Sequence, residues 1–140
     1  MGKVVQALVT AELINSTDYQ ELVSDNSAGA TVTFTGDVRN NDQNKTVLSL
    51  EYEAHPAAQE ILEKVATELV KKHDVLKVAL AHRIGLIPIG ETAFVVCVSA
   101  KHRKEAFTAC SEIVDEVKKQ IPIWKHQVFA DGTDQWVNFA

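Results

Sequence analysis

Strand-like segments follow one another in this chain across loops too short to hold a crossover helix, and that spacing restricts the fold more than any other feature. Ala30 to Arg39 (ATVTFTGDVR) is rich in Val, Thr and Phe with period two, and only the polar run NNDQNK separates it from a second such segment, TVLSLEYEA. Parallel strands need a connection of a dozen or more residues. The two segments are therefore expected to form an antiparallel hairpin with a mobile tip. Val75 to Ile84 and Thr92 to Ala100 repeat the arrangement across GLIPIG, whose two glycines and proline mark a tight connection. Lys3 to Thr10 reads as a first strand, and Ile123 to Ala130 as a last one before the D-G turn at Asp131.

Helices are interleaved with these strands. Thr17 and Gln20 have the spacing of a capping box that would open a short helix, with a loop from Asp25 to Gly29 after it. Pro56 suits the first turn of a second helix, in which Ile61, Leu62, Val65, Leu69 and Val70 recur at helical spacing as far as His73. A third and longer helix carries Ala106, Phe107, Cys110, Ile113, Val114 and Val117 as its inward stripe, and Pro122 stops it because proline cannot continue the hydrogen-bond ladder. Hairpin-length strand connections mixed with helices predict an α+β fold with a largely antiparallel or mixed sheet rather than a doubly wound one. Residues 1–140 read as a single domain, without internal repeat, linker or low-complexity tract.

Charge and composition exclude several functions. A net charge of -5 argues against nucleic acid as the main partner, since backbone binding requires Lys and Arg in excess. The N-terminal MGKVVQALVTAEL has its apolar run broken by Gln6, Thr10 and Glu12, so it reads as neither signal peptide nor membrane span, and a cytoplasmic location is expected. Cys97 and Cys110 lie in an apolar strand and on an apolar helix face, without a C-x-x-C pair or metal spacing. Both are expected to be reduced core residues. His82 and His126 are isolated from other metal-type ligands, and neither a phosphate-binding P-loop nor a G-x-S-x-G elbow occurs. No metal and no cofactor is expected. Glu51 and Glu53 share a strand face at roughly 7 Å, a separation that acid–base pairs use, but Glu alternating with Leu48, Leu50 and Tyr52 is the ordinary solvent face of a half-buried strand.

The chemistry points instead to cations. Lys101, His102, Arg103 and Lys104 open the third helix, where the helix dipole makes each fixed cation unfavourable by roughly 0.3–1 kcal/mol. A bound anion such as phosphate would reverse the sign of that effect and use the free backbone N–H groups; a solvated basic turn is the plainer reading. At the other end Lys118 falls about 40° from Val114 at ~100° per residue, bordering the buried stripe, whereas Lys119 points toward water. Lys118 is expected to be half-buried, where an amine suits proton transfer or charge stabilisation unless it merely snorkels over apolar surface. Alternation in the last strand puts Lys125 and Gln127 on one face with Trp124 and His126 on the other, Trp124 being expected in the core. Arg39, at the end of its strand, is placed where a bidentate cation could meet phosphate or carboxylate.

VTFTGDVRNN, LEYEAHP, AHRIGLIPIGE, VSAKHRKEAFTAC and IPIWKHQVFADGTDQW, taken in order, closely resemble the catalytic large-subunit family of molybdopterin synthase from about Gly29 to Trp136. The resemblance implies an α/β-hammerhead-like fold with an added small antiparallel subdomain. It also implies a homodimer at the centre of a heterotetramer, with a small ubiquitin-like sulfur-carrier subunit at each end. That partner's C-terminal Gly-Gly, activated as a thiocarboxylate, would insert into the large subunit and donate sulfur, and two such transfers convert cyclic pyranopterin monophosphate into the dithiolene of molybdopterin. Carried over by motif, Arg39, His102, Arg103, Lys118, Lys125, His126 and Gln127 become pocket residues. His102 and Arg103 would hold the phosphate or pterin side, while Lys118 and Lys125 act catalytically by stabilising negative charge. The sequence departs from the family at Asp37, where a basic residue is common, and in a tail that ends soon after Trp136. A non-catalytic pterin-phosphate or anion-binding module is the rival reading, and a pterin-modifying enzyme independent of any protein donor a third.

Overall fold

The computed structural model describes residues 2–138. Its most apolar strand, β7 (Thr92–Ala100, TAFVVCVSA), is buried from Ala93 onward and forms the inside of a four-stranded mixed sheet. β7 pairs antiparallel with β5 (Lys77–Arg83) on one side and β2 (Ala30–Asp37) on the other, and β1 (Lys3–Thr10) adds parallel to β5. Alternation gives this sheet two apolar faces. Val78, Leu80, Phe94, Val96 and Val98 pack toward α2 (Ala58–Lys72) and α3 (Arg103–Gln120), whereas Ala79, Ala81, Val95 and Cys97 are covered by Ile14, Tyr19 and Val23 in and around α1 (Ser16–Leu22).

The second sheet is antiparallel. β4 (Lys45–Ala54) pairs with β3 (Asn41–Asp42), β6 (Gly85–Ile87) and β8 (Ile123–Phe129), and β9 (Asp134–Asn138) closes the far side of β8. One apolar cluster links the two sheets, since Leu50, Tyr52, Ile87 and Ile123 pack with Val78, Leu80 and Phe94. The α+β class and the mixed and antiparallel pairing follow the expectation from sequence.

The hairpin between residues 30–39 and TVLSLEYEA does not form. β2 pairs instead with β7, from Ala30↔Ala100 to Asp37↔Thr92, and β4 belongs to the other sheet. Period two says that a segment is a strand but not which edge it joins, and the buried β7 offers β2 a longer apolar ladder than β4 does. The polar run makes a smaller hairpin of its own, β3 against the start of β4, turning on Gln43 and Asn44 with φ of 54° and 61°. Those two positive φ values belong to the tight turn whose twist matches the flanking strands. GLIPIG does connect an antiparallel pair, and its first three residues also form β6 against β4.

Local details differ in three further places. The cap of α1 is Asn15, whose side chain accepts from Thr17 N at 3.2 Å and Thr17 Oγ1 at 2.7 Å, so Thr17 donates rather than caps. Trp124 is 37% exposed, because Ile123, Lys125, Gln127 and Phe129 take the inward positions of β8. Phe107 is 60% exposed: the buried stripe of α3 runs through Ala106, Ala109, Cys110, Ile113 and Val117, and Phe107 falls on its flank. In α2 the helix starts at Ala58, with Pro56 in the turn before it.

Leu62, fully buried between α2 and the sheet, and Phe107 thus make a paired test of the packing. Leu62→Ala should lower unfolding free energy by about 2–5 kcal/mol in a denaturant titration. Phe107→Ala should change it by under about 0.5 kcal/mol; a loss as large as that of Leu62→Ala would return Phe107 to the core.

Candidate active site

α3 ends at Ile121, where the chain turns at Pro122 and enters β8 at once. Two lysines are thereby set on either side of one corner. Lys118, in the last turn of α3, is half-buried as its place beside the stripe requires, whereas Lys119 is exposed. Lys125 and Gln127 point inward from β8, and the ladder puts Tyr52 opposite Lys125 and Leu50 opposite Gln127. Arg39 arrives from the segment after β2. Arg39, Asp42, Tyr52, Lys125 and Gln127 line one cleft, with Asp37 and Asn41 at its edge.

The electrostatics of this cleft are lopsided. Asp42 is the carboxylate that meets the cations: it accepts a hydrogen bond from Gln127 Nε2 at 2.8 Å and pairs with Arg39 Nη2 at 3.6 Å. Gln127 is 2% exposed, so its amide is committed to holding Asp42. Lys118 has no ion pair or hydrogen bond among the described residues. Burial holds the Lys125 amine below the ordinary lysine range; Asp42 opposes that shift, while the nearby charges of Lys118 and Arg39 add to it. Within the cleft Arg39 and Lys125 meet two carboxylates, Asp42 and Asp37, and the charge of Lys118, which acts on Lys125 from beside the lining, tips this corner to net positive, which suits a negatively charged group that loses its own hydration on entry. Asp37 is occupied elsewhere, accepting from Thr92 Oγ1 at 2.8 Å and Thr35 Oγ1 at 3.4 Å.

The cleft has a volume of about 60 Å³, far below the ~300–1,000 Å³ typical of a small-molecule site. One chain thus supplies a wall rather than an enclosure. A larger hollow of about 540 Å³ beside α1 carries Glu12, Asp18 and Glu21 but no cation. Another, about 370 Å³, is lined chiefly by Val32, Phe34, Phe107 and Val114.

Not every residue chosen from sequence reaches this cleft. His126 lies on the opposite face of β8, stacked on Trp136 with ring centroids 4.5 Å apart and paired through Nε2 with Asp134 at 2.9 Å. His102 and Arg103 lie at the start of α3, fifteen residues before Lys118, or about 22 Å along the axis at roughly 1.5 Å per residue. His102 is the N-cap residue and makes no capping bond, and Lys101 to Lys104 are all exposed and free of ion pairs among the described residues. The free N–H groups and cations of that turn are available to an anion. The tail beyond Asn138 lies outside the described residues.

Asp42, Tyr52 and His82 escaped the sequence reading. Asp42 sat in a polar run that looked like a loop, and its role depends on β3 folding back toward β8. Tyr52 reads as an apolar position of β4, which it is, but its ring also floors the cleft. His82 was visible only as a histidine without metal partners. Both cysteines are buried as expected; burial raises the Cys97 thiol and pushes Cys110 up to about 11. Among the described residues no cluster of three or more His, Cys, Asp or Glu could hold a metal ion, and no helix is long and apolar enough to cross a membrane.

The depressed Lys125 amine gives a direct test. At mildly alkaline pH it should acylate faster than the exposed lysines, as followed by peptide mapping after limited labelling. Lys118→Met removes a cation that lowers its pKa and should slow labelling of Lys125, whereas Asp42→Asn should hasten it. Equal rates in all three proteins would contradict the described clustering.

Comparison with known proteins identifies the family and the fold. Residues 9–120 match the family model described as MoaE protein. The chain is 40% identical over 139 residues to the molybdopterin synthase catalytic subunit of Pyrococcus abyssi, covering 98% of this chain and 93% of that one. It is 38% identical over 129 residues to the Arabidopsis thaliana catalytic subunit, covering 91% of this chain but only 65% of the plant protein. It therefore spans just under two thirds of the plant relative. Molybdopterin synthase from Staphylococcus aureus superposes with a TM-score of 0.87 at 32% identity, covering 95% of this chain and 97% of that one. The complex of subunits 1 and 2 of molybdopterin-converting factor from Helicobacter pylori shares the fold, with a TM-score of 0.71 at 23% identity, covering 94% of this chain and 88% of that one. In sequence and in fold, the chain belongs to the MoaE protein family.

Proposed function

We propose that this chain is the catalytic subunit of a molybdopterin synthase, transferring sulfur from the thiocarboxylated C-terminus of a small ubiquitin-like partner to cyclic pyranopterin monophosphate to form the molybdopterin dithiolene. The observation that carries this reading is the gathering of Arg39 and Lys125 in one recess, where Asp42 pairs with Arg39, together with Lys118, whose charge acts on Lys125 from beside that recess. A thiocarboxylate at the end of a flexible peptide is an anion whose docking costs ordering entropy, and charge pairing in a half-buried recess offsets that cost. As its sulfur attacks the substrate side chain, the ammonium groups of Lys118 and Lys125 are the residues assigned to stabilise the negative charge that builds there. Buried cysteines with raised pKa values supply no thiolate, so the sulfur arrives from the partner. Two reduced, buried thiols also fit a cytoplasmic protein.

The size of the recess and the distance to His102 and Arg103 have one common explanation. If two copies pair, the start of α3 in one can approach the recess of the other, so that phosphate or pterin is held at His102 and Arg103 while sulfur is delivered at Lys118 and Lys125. A dimer carrying a small subunit at each end gives the heterotetramer. His126, stacked on Trp136 and paired with Asp134, contributes through the order of β8 and β9 rather than by touching the reacting atoms. Gln127 acts by holding Asp42.

A non-catalytic pterin-phosphate module would keep the cations and lose turnover, and a pterin-modifying enzyme without a protein donor would not need the partner. Dithiolene formation assayed with and without thiocarboxylated partner separates all three, and this chain should bind the precursor alone but turn it over only with the partner. Lys118→Ala and Lys125→Ala should each lower kcat by about 10²–10³ with melting temperature little changed. Lys118→Arg should stay inactive if the amine exchanges a proton, and recover if charge alone matters. Arg103→Ala should raise KM for the phosphorylated pterin with little effect on partner binding. Full activity of the lysine variants, or turnover without the partner, would contradict the proposal.

A further inference from the structure

His82 is the buried titratable side chain that the proposed reaction leaves unused. It lies on β5, 1% exposed, on the face of the mixed sheet that meets the second sheet. Its ring is held on two sides, stacked on Phe94 with centroids 5.4 Å apart and met edge-on by Tyr52 at 5.0 Å. Tyr52 is also the cross-strand neighbour of Lys125 and lines the cationic recess. The imidazole thus stands one ring behind the recess.

Its hydrogen bonding determines which nitrogen is free. Nδ1 lies 2.8 Å from the Arg83 carbonyl oxygen. A carbonyl only accepts, so Nδ1 carries the proton and donates. Burial pushes the His82 pKa down to about 4, with the Arg83 bond opposing and the charge of Lys118 adding to the fall, so the ring is neutral at physiological pH. The proton being on Nδ1, Nε2 presents a bare lone pair, and that atom is buried without a hydrogen-bond partner among the described residues. An acceptor left in that state is destabilising, because it has given up water without gaining a partner. The elements packed around the ring narrow the choice of donor. β7 brings Phe94, β1 brings Val9, and β4 brings the edge of the Tyr52 ring. The neighbouring Arg83 pairs through Nη1 with Glu91 at 2.7 Å and leaves its Nε buried without a partner, but as the next residue of β5 it projects from the opposite face of the strand to His82. α3 brings Lys118, itself without a partner and close enough for its charge to act on the ring.

We infer that His82 is a positioning residue for sulfur transfer: its Nε2 accepts a hydrogen bond from the Lys118 amino group and fixes that group at the mouth of the recess. No bond is made or broken at His82. Held this way, one Lys118 N–H points back to the core while the others face the incoming anion, which removes the rotamer freedom of a four-carbon stem at the moment charge develops. The inference rests on the reading of the recess as the sulfur-transfer site, although the hydrogen bond itself can be tested without that reading.

Two measurements on the full chain decide it. In ¹⁵N-labelled protein the long-range imidazole spectrum should show His82 as the Nδ1–H tautomer, with its Nε2 resonance displaced by an accepted hydrogen bond. Lys118→Met should return that resonance to the position of a free ring nitrogen. An Nε2 resonance identical in the two proteins overturns the inference. In the assay with thiocarboxylated partner, His82→Leu, which keeps the volume but not the acceptor, should lower kcat roughly tenfold or more with KM held. His82→Gln, whose side-chain carbonyl reaches the position of Nε2, should recover most of the loss. Wild-type kcat in His82→Leu, or failure of His82→Gln to recover activity although it folds, also overturns it. If the unaltered chain makes no dithiolene with its partner, the reading of the recess fails, and the nitrogen resonance still decides whether the pair exists.

Discussion

The ladder between β4 and β8 governs the rest of the site. Its register runs from Val47↔Phe129 to Ala54↔Ile123, and a slip of one residue would turn every side chain of β8 to the opposite face. Lys125 and Gln127 would then face water, with Trp124 and His126 in the core. Burial of Ile123 and Phe129 at the two ends of β8 opposes such a slip, because both belong inside. Pro122 fixes the other half of the arrangement. By ending α3 immediately before β8 it keeps Lys118 and Lys125 on adjoining elements at one corner, so the separation of the two lysines follows from the covalent chain as much as from packing.

The two ends of α3 behave oppositely toward charge. Lys118 and Lys119 in its last turn are favoured by the helix dipole, and the half-burial of Lys118 is thereby offset in part. Lys101 to Lys104 at its first turn are disfavoured by the same dipole and lack a capping side chain. A helix that tolerates cations at both ends gains stability from one set only. In the proposed reaction the other set meets the phosphate of the substrate, an anion that arrives from outside the chain. Within the recess, Asp42 keeps the cations compatible with folding without neutralising them, and Gln127 holds Asp42 in place.

Much of this was legible in the sequence, for reasons specific to each residue. β1, β5, β7 and the long helix could be read because period two and period 3.6 are local properties. Lys118 could be placed at the edge of the buried stripe because a helical wheel needs no tertiary information. That Lys125 and Gln127 share one face of β8 followed from alternation, but placing Trp124 in the core turned that pair the wrong way, since alternation alone does not say which face is buried. What the sequence did not disclose depends on partners distant along the chain. The pairing of β2 with β7 is one case, since TVTFTG fits either neighbour on pattern alone. Asp42 is another, because NNDQNK reads as a loop until β3 folds onto β4 and brings the carboxylate to Gln127, eighty-five residues away. His82 is a third: an isolated histidine in VALAHRI acquires meaning only from the unpartnered Nε2 and the lysine near it.

The central claim is that the cations of the recess and the first turn of α3 serve one reaction from two copies of the chain. Subunit mixing tests it most directly. Lys125→Ala and Arg103→Ala proteins, each impaired alone, would be combined, allowed to exchange subunits, and assayed for dithiolene formation with thiocarboxylated partner. Random pairing makes half of the dimers mixed, and each mixed dimer has one unaltered site, so the account predicts recovery to about a quarter of the activity of the unaltered enzyme. Mixed dimers that form, as verified by mass, yet turn over no faster than the better of the two variants would contradict it.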